Sequence, residues 1–207
     1  AKKELVQNRL KQLSELGIYP ELVDVDTFCV FNAYETLAEG ADKKHSLLNV
    51  GHTESLFIVV HEGLPFFVRE IPFGGLEVTK ALAEMKGISE SEADTLKKAK
   101  PADLLADLKT ATQKGFERLT EELKHSIDYF ENEVGDDLKS LGLGGGGALC
   151  HEAAAVLSEE LGRPVQLWDT SKKIKSADES VSKVLTGPSA QLDVALGLAL
   201  RELGKNR

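Results

Sequence analysis

The chain has 207 residues, 42% of them hydrophobic and 29% charged, enough for one large domain or two small ones with their own cores. Thirty-four Asp and Glu against 25 Lys and Arg give a formal charge of −9, so there is no broad basic field for nucleic acid or for a bare anionic membrane. The longest apolar runs, such as Leu56 to Val60, fall far short of the roughly 20 residues that cross a bilayer, and a cytoplasmic protein without a direct membrane insertion is expected. Cys29 and Cys150 stand among apolar neighbours and read as small, reduced core residues.

From the start, Leu5, Val6, Leu10, Leu13 and Leu16 recur at helical spacing, and Gly17 with Pro20 ends that helix. Leu22, Val23 and Val25 predict a short strand, and Asp26 then caps a helix through Phe28, Phe31, Ala33, Tyr34 and Leu37. The polar stretch Glu39 to Lys44 reads as a boundary. Three strands follow, Ser46 to Val50, Ser55 to Val60 and Phe66 to Ile71, joined by connections short enough for antiparallel hairpins. After Phe73-Gly74-Gly75 the pattern becomes helical, and Ser89 with Glu92 has the spacing of a capping box for a helix toward Ala99. Pro101 restarts a long helix to about Glu133, with Leu104, Leu105, Leu108, Phe116, Leu119, Leu123 and Ile127 as its apolar stripe.

The remainder alternates: a strand from Asp137 to Leu143, a turn of Gly144 to Gly147, a helix from Ala148 to Leu161, a strand from Pro164 to Trp168, a polar loop, and a helix from Ser189 to Leu203. Three antiparallel strands, then helix, strand, helix, strand, helix is the order of an α/β ribonuclease-H-like half. It predicts a mixed five-stranded sheet with helices on both faces and a helical insertion.

Two turns that follow strands of this sheet are the candidate functional sites. In Asn49-Val50-Gly51-His52-Thr53-Glu54-Ser55, Gly51 permits a turn tight enough to aim successive N–H groups at an anion, and the hydroxyls of Thr53 and Ser55 add donors. A plain hairpin is the competing reading. Leu143 to Ala148 joins a strand to the expected N-terminus of a helix, where missing side chains admit a flat or anionic ligand; a structural turn competes here too. His45, His52, His61, His125 and His151 show no metal-ligand spacing, and Arg69-Glu70 reads as part of cross-strand ion pairs. The Lys- and Glu-rich stretch from Ser89 to Lys124 reads as a solvated helix face.

Several motifs in one order resemble the type IV pilus assembly protein PilM family, actin-like ATPase-fold relatives of the cell-division protein FtsA. Phe67-Val68-Arg69-Glu70-Ile71-Pro72-Phe73-Gly74-Gly75 is similar to the family's "ftReipfGG", and Glu92-Ala93-Asp94-Thr95-Leu96-Lys97 to its "eAEelK". Leu143-Gly144-Gly145-Gly146-Gly147-Ala148 parallels "lsGGGA", and Ala195-Leu196-Gly197-Leu198-Ala199-Leu200-Arg201 parallels "aLGLALR". Upstream, Leu16 to Phe28 is similar to "aGLkp.avDvesfA".

The resemblance implies ATP and Mg²⁺ as ligands. Asn49, Gly51, His52 and Thr53 would form the second phosphate loop, Asp94 and Lys97 would hold ribose and adenine, and Gly145, Gly146 and Gly147 would pack against the adenosine. Asn49 stands where the family usually carries Asp, so the loop lacks a charge that helps organise Mg²⁺, and Asp94 shortens the usual Glu. The family's first phosphate loop, "GiDiGs", is absent. The expectation is therefore a fragment starting at Ala1, with a naturally shortened form as the alternative, residues 1–44 as a remnant of a first half and 45–207 as the second half, its helical insertion at about 76–115. A nucleotide-dependent scaffold at the inner membrane is implied. Its partners would be a PilN-like cytoplasmic tail and other pilus inner-membrane assembly proteins, with a homo-oligomer as a further expectation. An active Mg²⁺-dependent ATPase and a nucleotide-free interaction module are the alternatives.

Overall fold

The computed structural model describes residues 2–37, 45–168 and 189–204. Helices α1 (Lys3–Glu15) and α2 (Asp26–Leu37) precede a hairpin series β1 (His45–Val50), β2 (Ser55–His61) and β3 (Leu64–Ile71). Then come α3 (Gly75–Lys86), α4 (Glu90–Ala99), α5 (Leu105–Val134), β4 (Leu141–Gly144), α6 (Ala153–Leu161), β5 (Val165–Leu167) and α7 (Asp193–Gly204).

The strands form one mixed sheet in the order β3-β2-β1-β4-β5. The meander pairs antiparallel, with Leu48 opposite Phe57 and Leu47 opposite Ile58, while β1–β4 and β4–β5 run parallel. Every residue of β1 is buried, as a central strand covered on both faces requires. Alternation along it divides the core. Leu48 and Val50 join Phe57, Val59, Phe116 and Leu143 in the cluster beneath α3, α5 and α6, whereas Leu47 joins Ile58, Val60 and Val30 beneath α2. Phe57, Phe116 and Phe130 are fully buried, each worth roughly 1.5–3 kcal/mol of transfer free energy. This is the expected α/β architecture, with helices on both faces.

The expected capping box is present. Ser89 Oγ accepts from the Glu92 N–H at 3.3 Å and the Glu92 carboxylate accepts from the Ser89 N–H at 3.0 Å, so α4 starts where the spacing predicts. Other expectations need correction. The strand at Leu22 to Val25 does not form: among the described residues no strand lies beside it to complete a ladder, and Val23 and Val25 are exposed. The strand from Asp137 is shorter, Leu141–Gly144, and only those residues reach β1 and β5. Helix α1 forms as its periodicity predicts, but none of its residues is buried. Its apolar stripe, with Leu22, Val23 and Leu198, lines an open groove of about 780 Å³. The expected boundary at Glu39 to Lys44 and the polar loop after Trp168 lie outside the described residues.

Helices α2 and α7 cross without space between their backbones. A Cβ on Gly197 would lie 1.7 Å from the Cys29 carbonyl oxygen, a distance no packing adjustment of side chains relieves. Arg201 of α7 also pairs with Asp24, just before α2. Burial pushes the Cys29 thiol up to about 11, so it stays a neutral part of this contact at physiological pH. Gly197→Ala is expected to separate the helices and destabilise the protein by ~1–3 kcal/mol, read as a lower urea midpoint.

Candidate functional site

The parallel ladder between β1 and β4 sets Asn49 opposite Gly144, so the turns that follow leave the same sheet edge. This is the carboxyl end of parallel strands, where ligand crevices form in open α/β sheets. The first turn closes by a bond from the Gly51 N–H to the Glu54 carbonyl at 2.9 Å. Its own carbonyls are then capped by a helix: the Gly75 N–H donates to Gly51 O at 2.9 Å and the Leu76 N–H to His52 O at 2.8 Å. The Phe73-Gly74-Gly75 motif therefore docks the start of α3 on the turn, and a Cβ on Gly74 would come within 2.7 Å of both carbonyl oxygens.

The second turn lies against the end of β1. Gly145 has φ +82°, in the region that glycine adopts without strain, and a Cβ on Gly147 would meet Val50 Cγ1 at 2.3 Å. The expected helix from Ala148 is corrected here. A single 3₁₀ turn, Gly146–Leu149, follows, Glu152 takes a left-handed conformation, and α6 starts at Ala153. The glycines thus precede a short turn rather than an α-helix N-terminus, and the macrodipole contributes little there.

A cleft of about 700 Å³ opens between these turns, α4 and the first residues of α7. Asn49, Gly51, His52, Thr53, Asp94, Lys97, Gly145, Gly146 and Gly147, the residues singled out from sequence, all line it. Ser55 does not: it is fully buried and its hydroxyl donates to the Phe73 carbonyl at 2.7 Å.

Lys97, only 11% exposed, donates to Gly75 O at 3.0 Å and to Thr79 Oγ1 at 2.5 Å and lies 3.2 Å from Asp94 Oδ1. Its ammonium ties α4 to the start of α3. Asp94 also accepts from Lys98 at 2.5 Å, and these hydrogen bonds, that from Lys98 foremost, hold its carboxyl below the usual carboxylate range.

Asp193, Gln191 and Lys100 are among the lining residues that carried no sequence signal strong enough to single them out as ligand-facing. Asp193 is 1% exposed, accepting at Oδ2 from Asn49 Nδ2 at 2.9 Å and from the Gly145 N–H at 3.2 Å. An acid opening the final apolar helix was the available clue.

Arg69 and Glu70 are not cross-strand ion partners. Arg69 reaches α5, pairing with Glu122 and donating to Ser126 Oγ at 2.9 Å, because its side of β3 faces that helix. Glu70 lies against Glu54 at the cleft rim; burial, then the Glu70 charge, raises the Glu54 pKa above the ordinary value.

The model of the family described as Type IV pilus assembly protein PilM matches residues 1–203. The chain belongs to this family. Among solved structures it is similar to a chain of a PilM-PilN type IV pilus biogenesis complex. The two are 25% identical with a TM-score of 0.78, over 97% of this chain and 58% of that one. The chain thus spans somewhat more than half of that PilM-PilN complex chain. The ethanolamine utilization protein EutJ from Carboxydothermus hydrogenoformans has the same fold at 18% identity, TM-score 0.66, over 91% of this chain and 58% of its own. So does MreB5 of Spiroplasma citri bound to AMPPNP, at 12% identity and TM-score 0.70, over 99% of this chain and 66% of its own. This PilM-family chain therefore has an actin-like fold. No helix among the described residues is long and apolar enough to cross a membrane.

The Glu54–Glu70 contact gives a pH-dependent test. A carboxyl whose folded pKa is raised costs no stability below the ordinary glutamate range and increasingly more as pH rises through the folded value. Glu70→Gln is expected to raise the melting temperature at pH 7 and to leave it unchanged near pH 4, read by thermal unfolding at both values.

Proposed function

We propose that the chain is the nucleotide-holding part of an actin-like scaffold in type IV pilus assembly, whose nucleotide state sets the binding of an inner-membrane partner. The carrying observation is the cleft itself: two glycine turns from adjacent parallel strands and the α4 wall meet around a space of about 700 Å³. In this reading residues 45–207 are the second ribonuclease-H-like half, with a helical insertion at about 76–115, and 1–44 belong with the first.

Phosphates lie against the Gly51–Thr53 turn and the adenosine against Gly145–Gly147, where the lack of side chains leaves a flat approach. Asp94 and Lys97 hold the α4 wall, and Lys98 and Lys100 bring positive charge to the rim. The side-chain oxygens of Asn49 and Asp193 are hard ligands of the kind that suit Mg²⁺, which enters with the nucleotide and neutralises phosphate charge. Asn49 in place of a carboxylate favours binding and switching over rapid hydrolysis.

The partner is a PilN-like cytoplasmic tail, with other inner-membrane pilus assembly proteins around it, and the protein is cytoplasmic and held at the membrane through them. MreB5, which shares the fold, was solved with AMPPNP, and the pilus complex pairs PilM with PilN; both support the reading.

Gly146 supplies a clean test because a Cβ there meets only the Gln191 side chain, nearest at Cγ at an ordinary 3.4 Å, so a larger side chain fills the cleft without breaking the fold. The full-length protein is expected to bind a fluorescent ATP analogue, and Gly146→Val to lose about tenfold or more in affinity at an unchanged melting temperature. No binding by the wild type overturns the nucleotide reading, and brisk Mg²⁺-dependent phosphate release replaces the scaffold with an ATPase.

A further inference from the structure

The pairing between Asn49 and Asp193 joins residues 144 positions apart, at one end of the cleft, with 9% and 1% of their surfaces exposed. A carboxylate only accepts, so the amide nitrogen of Asn49 must face Asp193. That fixes the amide's orientation and leaves Asn49 Oδ1 as the atom directed away from the pair. The same Asp193 oxygen accepts from the Gly145 N–H at 3.2 Å. One carboxylate at the first turn of α7 therefore holds the end of β1 and the start of the glycine turn, the two elements whose spacing defines the cleft.

We propose that Asp193 is a positioning residue for the nucleotide site, setting the orientation of the Asn49 amide and the separation of the two glycine turns. The negative charge at this end of the cleft is carried by α7 rather than by β1, and Asn49 and Asp193 act as one unit with a single charge. The inference rests on the nucleotide reading for its binding consequence, but the pairing itself is testable without ligand.

A second carboxylate at this pair carries a cost. Asp at both positions places carboxylate oxygens about as close as the 2.9 Å bond they replace, at two largely buried positions, so without a cation between them one must hold a proton or the turns must part. Ala at 193 leaves the Asn49 amide free to rotate and the Gly145 N–H without this acceptor. Exchanging the two residues restores one amide facing one carboxylate.

The experiment uses the full-length protein and three variants: Asp193→Ala, Asn49→Asp, and the exchange Asn49→Asp/Asp193→Asn. In the apo wild type, the Asn49 side-chain NH₂ resonances are expected to be resolved and slow to exchange, and in Asp193→Ala to collapse to the average position of exposed amides. Affinity for the fluorescent ATP analogue, measured well below every melting temperature, is expected to fall about tenfold in each single variant, as for loss of one charge-assisted hydrogen bond. It is expected to return to within about threefold of wild type in the exchange variant.

A purely structural role would lower the melting temperature and leave the affinity of the folded protein alone, and that result overturns the proposal. So does an exchange variant no better than Asn49→Asp. Failure of the wild type to bind, with the amide signature intact, overturns the nucleotide reading and the binding role of Asp193 together, while leaving the pairing itself in place.

Discussion

Because β1 and β4 run parallel with Asn49 opposite Gly144, the turns that follow leave the sheet at one edge and lie side by side. The second turn is pressed so closely on Val50 that side chains at Gly145 and Gly147 have no room: Cβ atoms there would stand 2.4 Å from Val50 O and 2.3 Å from Val50 Cγ1. Four consecutive glycines cost conformational entropy on folding, and the contact explains why that cost is met. The glycine backbone lies directly on Val50 and leaves that stretch of the cleft wall without side chains. The first turn is fixed from the other side by the start of α3, whose N–H groups would otherwise lack helical partners and are met by Gly51 and His52 carbonyls.

Much of this was legible in the sequence. The order of strands and helices, the capping box of α4, the long α5 stripe and the two glycine turns followed from periodicity and local chemistry, which act over a few residues. The corrections share a cause. Whether Leu22 to Val25 is a strand depends on a neighbour with which to pair, and whether Ala148 starts a helix depends on how Gly147 docks on Val50. Ser55 opens β2 as predicted, but its hydroxyl, expected to add a donor to the turn, is taken by the Phe73 carbonyl, a partner 18 residues away. Asp193 was invisible for the same reason: its meaning lies in Asn49, 144 residues away, and no local pattern encodes that distance.

The acidity of the chain, −9 overall, extends into the cleft. Asp26, Glu54, Asp94 and Asp193 line it against Lys97, Lys98 and Lys100. Lys97 is engaged by Gly75, Thr79 and Asp94, and Lys98 by Asp94, which leaves little positive charge uncommitted within the walls. An anion in this cleft therefore depends on the turn backbones and on any cation that accompanies it more than on a basic pocket. This is consistent with a site that discriminates by shape and by dipoles. Glu54 and Glu70 at the rim reinforce the point, since burial and like charge already disfavour the ionised form of Glu54 there.

The walls of the cleft are continuous with the α2–α7 contact. Asp26 opens α2 and Asp193 opens α7, and both line the cleft, so two helices begin at its walls. These helices then cross with Gly197 against the Cys29 backbone, too close for either to shift alone. Asp193 grips both turns through a single oxygen. A ligand that alters the separation of the turns in the proposed reading must either break these bonds or carry α7 with it, and α2 with α7. Close-packed interiors transmit such displacements rather than absorb them. The path ends at the Arg201–Asp24 pair and the groove formed by α1, Leu22, Val23 and Leu198, where apolar surface stands exposed. In the proposed reading, the contacts that join the cleft to this groove run through α2, α7 and the Asp193 carboxylate.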